Sequence, residues 1–266
     1  MSETTESGAR LLIERQGRVL VLTISNPALR NAMAPNIYRT AVGVYRELGR
    51  DASIGAVVLA GEGEHFCGGG NLKRLLAQRD LPQDTQAAHL NAFHAWMMAM
   101  RDCPQPVIAA VEGAAAGGGF SVCLGCDLIV AAEDAKFVMS YVKAGLSPDG
   151  GGTDSLAAML PSQAALEFLL DGAPVSAARL FALGVVNRVV PHGHALAGAL
   201  DWAVRLAEGP PATQARVKRL VYAARGRSRT EQLDAERNAF IEGLYHEECG
   251  EGIAAFLQKR APRFPH

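Results

Sequence analysis

Apolar residues along this chain follow two different rhythms, and the change from one to the other organises it. Residues 11–13 and 19–24 are strand-like and meet at Gln16-Gly17, which predicts an opening hairpin. Residues 54–60 and 107–111 are short β-branched runs expected to be buried strands, and 128–131 and 137–142 add two more. Helical spacing interrupts these runs. Ile37, Ala41, Val44, Tyr45 and Leu48 share one face of a helix for which Asn36 is the expected cap. Residues 85–100 carry Leu90, Phe93, Met97 and Met100 on one stripe, read as core packing, and Pro104 and Pro106 end that helix. From residue 153 onward the helical period dominates, with helices predicted over 153–160, 162–170, 176–183, 195–207, 212–224, 230–244 and 250–259. Leu233, Phe240, Ile241 and Leu244 give the penultimate helix an apolar face. The fold class is therefore α/β with a helical C-terminal portion. The division expected is a core over 1–195 and a helical region over 196–266, with Pro210-Pro211 as the one hinge signal.

Bulk composition narrows the function classes. The 266 residues are 49% hydrophobic and 20% charged, enough for a sizeable core. A formal net charge of −1 leaves no electrostatic footprint for nucleic acid or an anionic membrane. The first ten residues are polar and lack the apolar stretch of a secretory signal. Residues 107–132 are the most apolar, but Glu112, several glycines and Asp127 break them, which reads as buried core and not as a bilayer span. Five cysteines without framework spacing fit a reducing cytoplasm. Cys123-Leu124-Gly125-Cys126 has redox spacing, yet it lies in an apolar helix and reads as buried small hydrophobes. The seven histidines show no metal-ligand spacing, so no metal is expected.

The chemistry-bearing segments are two glycine-rich turns, His65-Phe66-Cys67-Gly68-Gly69-Gly70-Asn71-Leu72 and Gly113-Ala114-Ala115-Ala116-Gly117-Gly118-Gly119-Phe120. Each follows a β-branched run and precedes a helical segment. A strand entering such a turn leaves backbone N–H groups unpaired at the helix start. Two turns facing one another would hold one oxygen between two donors, the arrangement of an oxyanion hole.

These segments resemble the crotonase family, which includes enoyl-CoA hydratases and isomerases. Residues 66–72 resemble its first signature. Val111-Glu112-Gly113 through Gly119, with Cys126-Asp127 following, resembles the second, and Gly145-Leu146-Ser147-Pro148-Asp149-Gly150-Gly151-Gly152-Thr153 the third. Residues 252–260 resemble the family's C-terminal helix, and the likeness runs from about 11 to 264 in order and spacing. The resemblance implies a spiral of β-β-α turns, a C-terminal helical region that makes homotrimers or dimers of trimers, and an acyl-CoA thioester as substrate. It implies no separate cofactor.

By the same resemblance, the oxyanion donors are the N–H groups of Gly68 and Gly118. The two glutamates of family hydratases fall, by spacing, on Ser121 and Tyr141, neither of which supplies a base near neutral pH. Asp149 is the replacement candidate for the proton carrier, although Pro-Asp-Gly is also an ordinary turn sequence. One carboxylate suits isomerisation, taking a proton at one carbon and returning it two carbons away. Hydration or ring-opening hydrolysis by Asp149-activated water, and non-catalytic acyl-CoA binding, remain the alternatives. Residues 136–140, 145–152 and 251–260 are most similar to the phenylacetate-pathway isomerase branch, to which sequences acting on oxepin-CoA are related. Coenzyme A contacts are expected from Gly70, Asn71 and Leu72, from the Ala28-Leu29-Arg30 loop and from Lys259. Asn71 is also a candidate for local bracing, His65 reads as an ordinary polar residue before the turn, and Cys67 lacks the partners of a nucleophile.

Overall fold

The computed structural model describes residues 8–265 of the chain; most of the polar N-terminal stretch lies outside them. In order, the elements are β1 (Arg10–Gln16), β2 (Val19–Ser25), α1 (Pro35–Leu48), β3 (Ala56–Gly61), α2 (Leu72–Ala77) and α3 (Gln83–Asp102). Then come β4 (Val107–Val111), β5 (Ala114–Ala116), α4 (Gly118–Gly125), β6 (Leu128–Ala132), β7 (Lys136–Val138), α5 (Gly152–Met159) and α6 (Ser162–Asp171). The chain finishes with β8 (Val175–Ser176), α7 (Ala177–Ala182), β9 (Arg188–Val190), α8 (Ala195–Ala207), α9 (Pro211–Ala223), α10 (Arg229–Leu244) and α11 (Glu247–Leu257).

The strands form two sheets, β1-β2-β3-β4-β6-β9 and β5-β7-β8. β1 and β2 are the expected antiparallel hairpin, and every later pairing in the larger sheet is parallel. β4 feeds the larger sheet and β5 the smaller, then α4 crosses back; β6 and β7 repeat the step. This is the β-β-α alternation that the resemblance implied. Parallel strands covered on both faces must be apolar throughout, and β3 and β4 are buried at nearly every residue. One face carries the main core with Trp96, Tyr45, Phe66 and Phe120. The other face meets α8 through Ala195, Ala199, Ala203 and Ala207, a stripe of small residues at four-residue spacing against Val58, Ile108 and Val130.

Three expectations change. Asn36 does not cap α1. Ala34 occupies that position, Pro35 starts the helix, and the Asn36 side chain donates to the Ala9 carbonyl at 2.5 Å. The predicted strand over 137–142 ends at Val138 and gives way to a 3-10 turn at Ser140–Ala144. Finally, α8, expected to open the helical region over 196–266, packs on the sheet, and α9 starts at Pro211. On and between α10 and α11 several large apolar residues are exposed among the described residues: Phe240, Tyr245, Phe256 and Leu257 are 71%, 85%, 83% and 74% exposed. Among the described residues no helix is long and apolar enough to cross a membrane.

Asp127 fastens this helical region to the core. One carboxylate oxygen accepts from the Val107 amide at 2.7 Å and from the Lys218 ammonium at 2.7 Å, and the other accepts from the Tyr222 hydroxyl at 2.7 Å. Lys218 also donates to the carbonyls of Met100 and Gln105. The Lys218 side chain is only 10% exposed. Removing the carboxylate charge therefore leaves a nearly buried cation, and Asp127→Asn is expected to cost about 3–5 kcal/mol in urea-induced unfolding.

Candidate active site

The two glycine turns meet backbone to backbone. Cys67 is stitched beside β5, its amide donating to the Ala114 carbonyl at 3.0 Å and its carbonyl accepting from Ala116 at 2.9 Å. A methyl group on Gly69, whose φ is +89°, would lie 2.6 Å from the Ala116 oxygen. A methyl group on Gly119 would fall inside the contact radius of the Cys67 carbonyl and 2.8 Å from its Sγ. Side chains are excluded here because the peptide planes themselves are in contact.

This packing decides which N–H groups are free. Gly118 is the first residue of α4, so its amide has no partner within the helix and sits at the positive end of the helix dipole. Gly68 lines the cavity as expected, but its amide already donates to the Arg30 carbonyl at 2.7 Å. It is not an available donor. Two residues on, the amide of Gly70 has no acceptor among the described residues, and Gly70 lines the same cavity. The resemblance implied that the Gly68 amide would be free; it is engaged, whereas the amide of Gly70, a coenzyme A contact by the same resemblance, is unpaired among the described residues.

The cavity measures ≈ 730 Å³. One end is framed by Met33, Phe93, Gly118, Tyr141 and Asp149. Ser121 and Tyr141, the positions onto which the resemblance maps the hydratase glutamates, hold hydroxyls that converge on Asp149. Tyr141 Oη donates to Asp149 Oδ1 at 2.5 Å, and Ser121 Oγ donates to the Asp149 carbonyl at 2.9 Å. Burial, then the Asp149 charge, pushes the Tyr141 phenol far above its ordinary range, so it remains a donor. Asp149 is the sole carboxylate lining the cavity among the described residues. The Pro-Asp-Gly segment thus turns the chain and presents the acid together.

Other candidates sort by position. Asn71 caps α2, its side chain accepting from the Arg74 amide at 3.2 Å, and Leu72 lines the cavity mouth. Ala28 and Arg30 are exposed on the 3-10 turn Pro27–Leu29 and its end, and neither lines the cavity. Lys259 is exposed beyond α11 with φ +53° and does not reach the cavity of its own chain. His65 lies outside the cavity. Cys67 is fully buried, and burial holds its thiol up at about 12, unsuited to attack. Cys123 and Cys126 are buried and unpaired. Spacing along the chain did not foretell that Glu112, Asp134 and His192 place ligand-type atoms within 4.8 Å of one another. Glu112 is engaged there in capping α8, accepting from the amides of Gly193 and Ala195. Residues that spacing missed altogether are Arg74, His89 and His94, which also line the cavity.

The two glycine turns and the cavity they line sit on a β-β-α spiral of two sheets. The chain belongs to the enoyl-CoA hydratase/isomerase, or crotonase, family, whose sequence profile matches residues 14–266. It is 34% identical to enoyl-CoA hydratase EchA19 of Mycobacterium tuberculosis, over 98% of each chain. It is 33% identical to 2,3-dehydroadipyl-CoA hydratase of Escherichia coli, over 96% of this chain and 98% of that one. Among solved structures, an enoyl-CoA hydratase from Polaromonas sp. JS666 shares 46% identity and superposes with a TM-score of 0.94, covering 96% of this chain and 99% of the other.

The glycine contacts yield a contrast open to measurement. Gly119→Ala forces backbone apart and is expected to lower stability by roughly 3 kcal/mol. Gly70→Ala, whose methyl would meet only Leu75 Cδ1 at 3.8 Å, should stay within about 0.5 kcal/mol of the parent in the same urea titration.

Proposed function

We propose that the chain is an acyl-CoA isomerase that moves a double bond, or rearranges a ring, in an unsaturated acyl thioester through an enolate. Asp149 removes a proton from a carbon conjugated with the thioester, and the electron pair moves onto the carbonyl oxygen. The amides of Gly70 and Gly118 hold that oxyanion, each worth on the order of 10²–10³ in rate. Asp149, now protonated, returns the proton two carbons away, so the double bond shifts and no atom is gained. Tyr141 orients the carboxylate throughout. Coenzyme A enters as part of the substrate, and no further cofactor is needed for these steps.

The observation that carries this reading is the single carboxylate in the cavity, with hydroxyls where a two-glutamate hydration site needs acid and base. Hydration by Asp149-activated water is the second reading, and the names of the relatives favour it: all those cited are hydratases. The likeness of residues 136–140 and 145–152 to the phenylacetate-pathway branch supports a ring-derived or unsaturated acyl group. Unpaired cysteines fit a reducing compartment. The uncovered apolar faces of α10 and α11 support assembly as a homotrimer or a dimer of trimers.

Asp149→Asn should reduce α-proton exchange into deuterated water by about 10²–10⁴-fold; full activity in that variant would overturn the proposal. In oxygen-18 water the wild-type product should carry no label, whereas labelled product would establish the hydratase reading. Light scattering should give the mass of three or six chains. Phe256→Asp is expected to lower that mass, because a charge at this site opposes burial against another subunit.

A further inference from the structure

The cavity's far wall is built for an anion. Gln86, His89 and Phe93 lie at helical spacing on one face of α3, and all three line the cavity. Phe93 marks the end that holds Gly118 and Asp149, with Cζ 3.8 Å from where a methyl on Gly118 would sit. His89 lies four residues away, about 6 Å along the axis, and Gln86 lies further still. From α1, the Tyr38 ring packs on Phe93 at 5.1 Å; burial pushes the Tyr38 phenol up to about 12, and the neighbouring Arg74 guanidinium works against that rise. Arg74 lines the same cavity, close to the aromatic pair.

The charges there do not balance. Arg74 and Lys143 line the cavity against one carboxylate, Asp149. No acid among the described residues forms an ion pair with Arg74 or Lys143. Arg74 Nε and His89 Nδ1 are both shielded from solvent and lack a hydrogen-bond partner. A purely hydrocarbon tail laid against this wall would leave those groups desolvated and unpaired, which is unfavourable. A carboxylate would satisfy both, because a guanidinium binds it in a charge-assisted fork.

Resting on the reading of this cavity as the acyl-thioester site, we propose that the enzyme selects acyl-CoA substrates whose acyl chain ends in a second carboxylate, held by Arg74 with His89. The probes are saturated acyl-CoA thioesters of graded length, each as its methyl-terminated and its ω-carboxylate form, measured by titration calorimetry on the full chain. At the best length the ω-carboxylate ester should bind tighter by on the order of tenfold to a hundredfold. Arg74→Gln should bring that ratio close to one, and Arg74→Lys, which keeps charge without the fork, should leave an intermediate ratio. Equal or tighter binding of the methyl-terminated esters overturns the inference. An Arg74→Gln loss that falls equally on both esters and on free coenzyme A also overturns it, assigning the guanidinium to the coenzyme's phosphates. Saturated esters bind without reacting, so this outcome is independent of the isomerase reading, which stands or falls on α-proton exchange.

Discussion

Two peptide segments pressed together without intervening side chains set the terms for everything else in this molecule. Gly69 abuts the Ala116 carbonyl and Gly119 abuts that of Cys67, so the turns lock at a separation no residue with a Cβ permits. The lock is secured from behind by the Cys67 ladder to β5 and by the bond from Gly68 to Arg30. What remains unpaired at the front is a pair of amides, Gly70 and Gly118. Donors fixed in this way need little rearrangement when charge develops on a bound oxygen, which is why such preorganisation contributes strongly to catalysis.

Much of the fold was legible because burial on both faces forces continuous apolar runs, and β3, β4 and β6 follow that rule. Helices α5 to α11 came within a few residues of their predicted spans because their apolar residues recur at the 3.6-residue helical period. The misreadings lie where tertiary contacts override local pattern. Asn36 has the chemistry of a cap, but Pro35 starts the helix one residue earlier and frees the amide side chain to tie down the chain at Ala9. Residues 139–142 look extended, yet the chain must fold back there to bring Tyr141 over Asp149.

The site was legible in part. Glycine spacing located both turns and the third motif located Asp149. The choice between Gly68 and Gly70 depends on which carbonyl lies behind the first turn, and Arg30 is far from it in sequence. Likewise Ser121 and Tyr141 were visible as departures from a two-carboxylate site. That they hydrogen-bond to Asp149 became visible only in three dimensions. Arg74 and His89 carried no signal, since lone basic residues on helices are ordinarily solvated.

The tight floor has a consequence for how such a protein diverges. The turns that meet at the floor are locked main chain and admit almost no change, while the faces of α2 and α3 offer side chains that can be exchanged around the same ≈ 730 Å³. Selection can thus change what the cavity admits by redecorating one wall while the floor that the two turns build stays inherited intact.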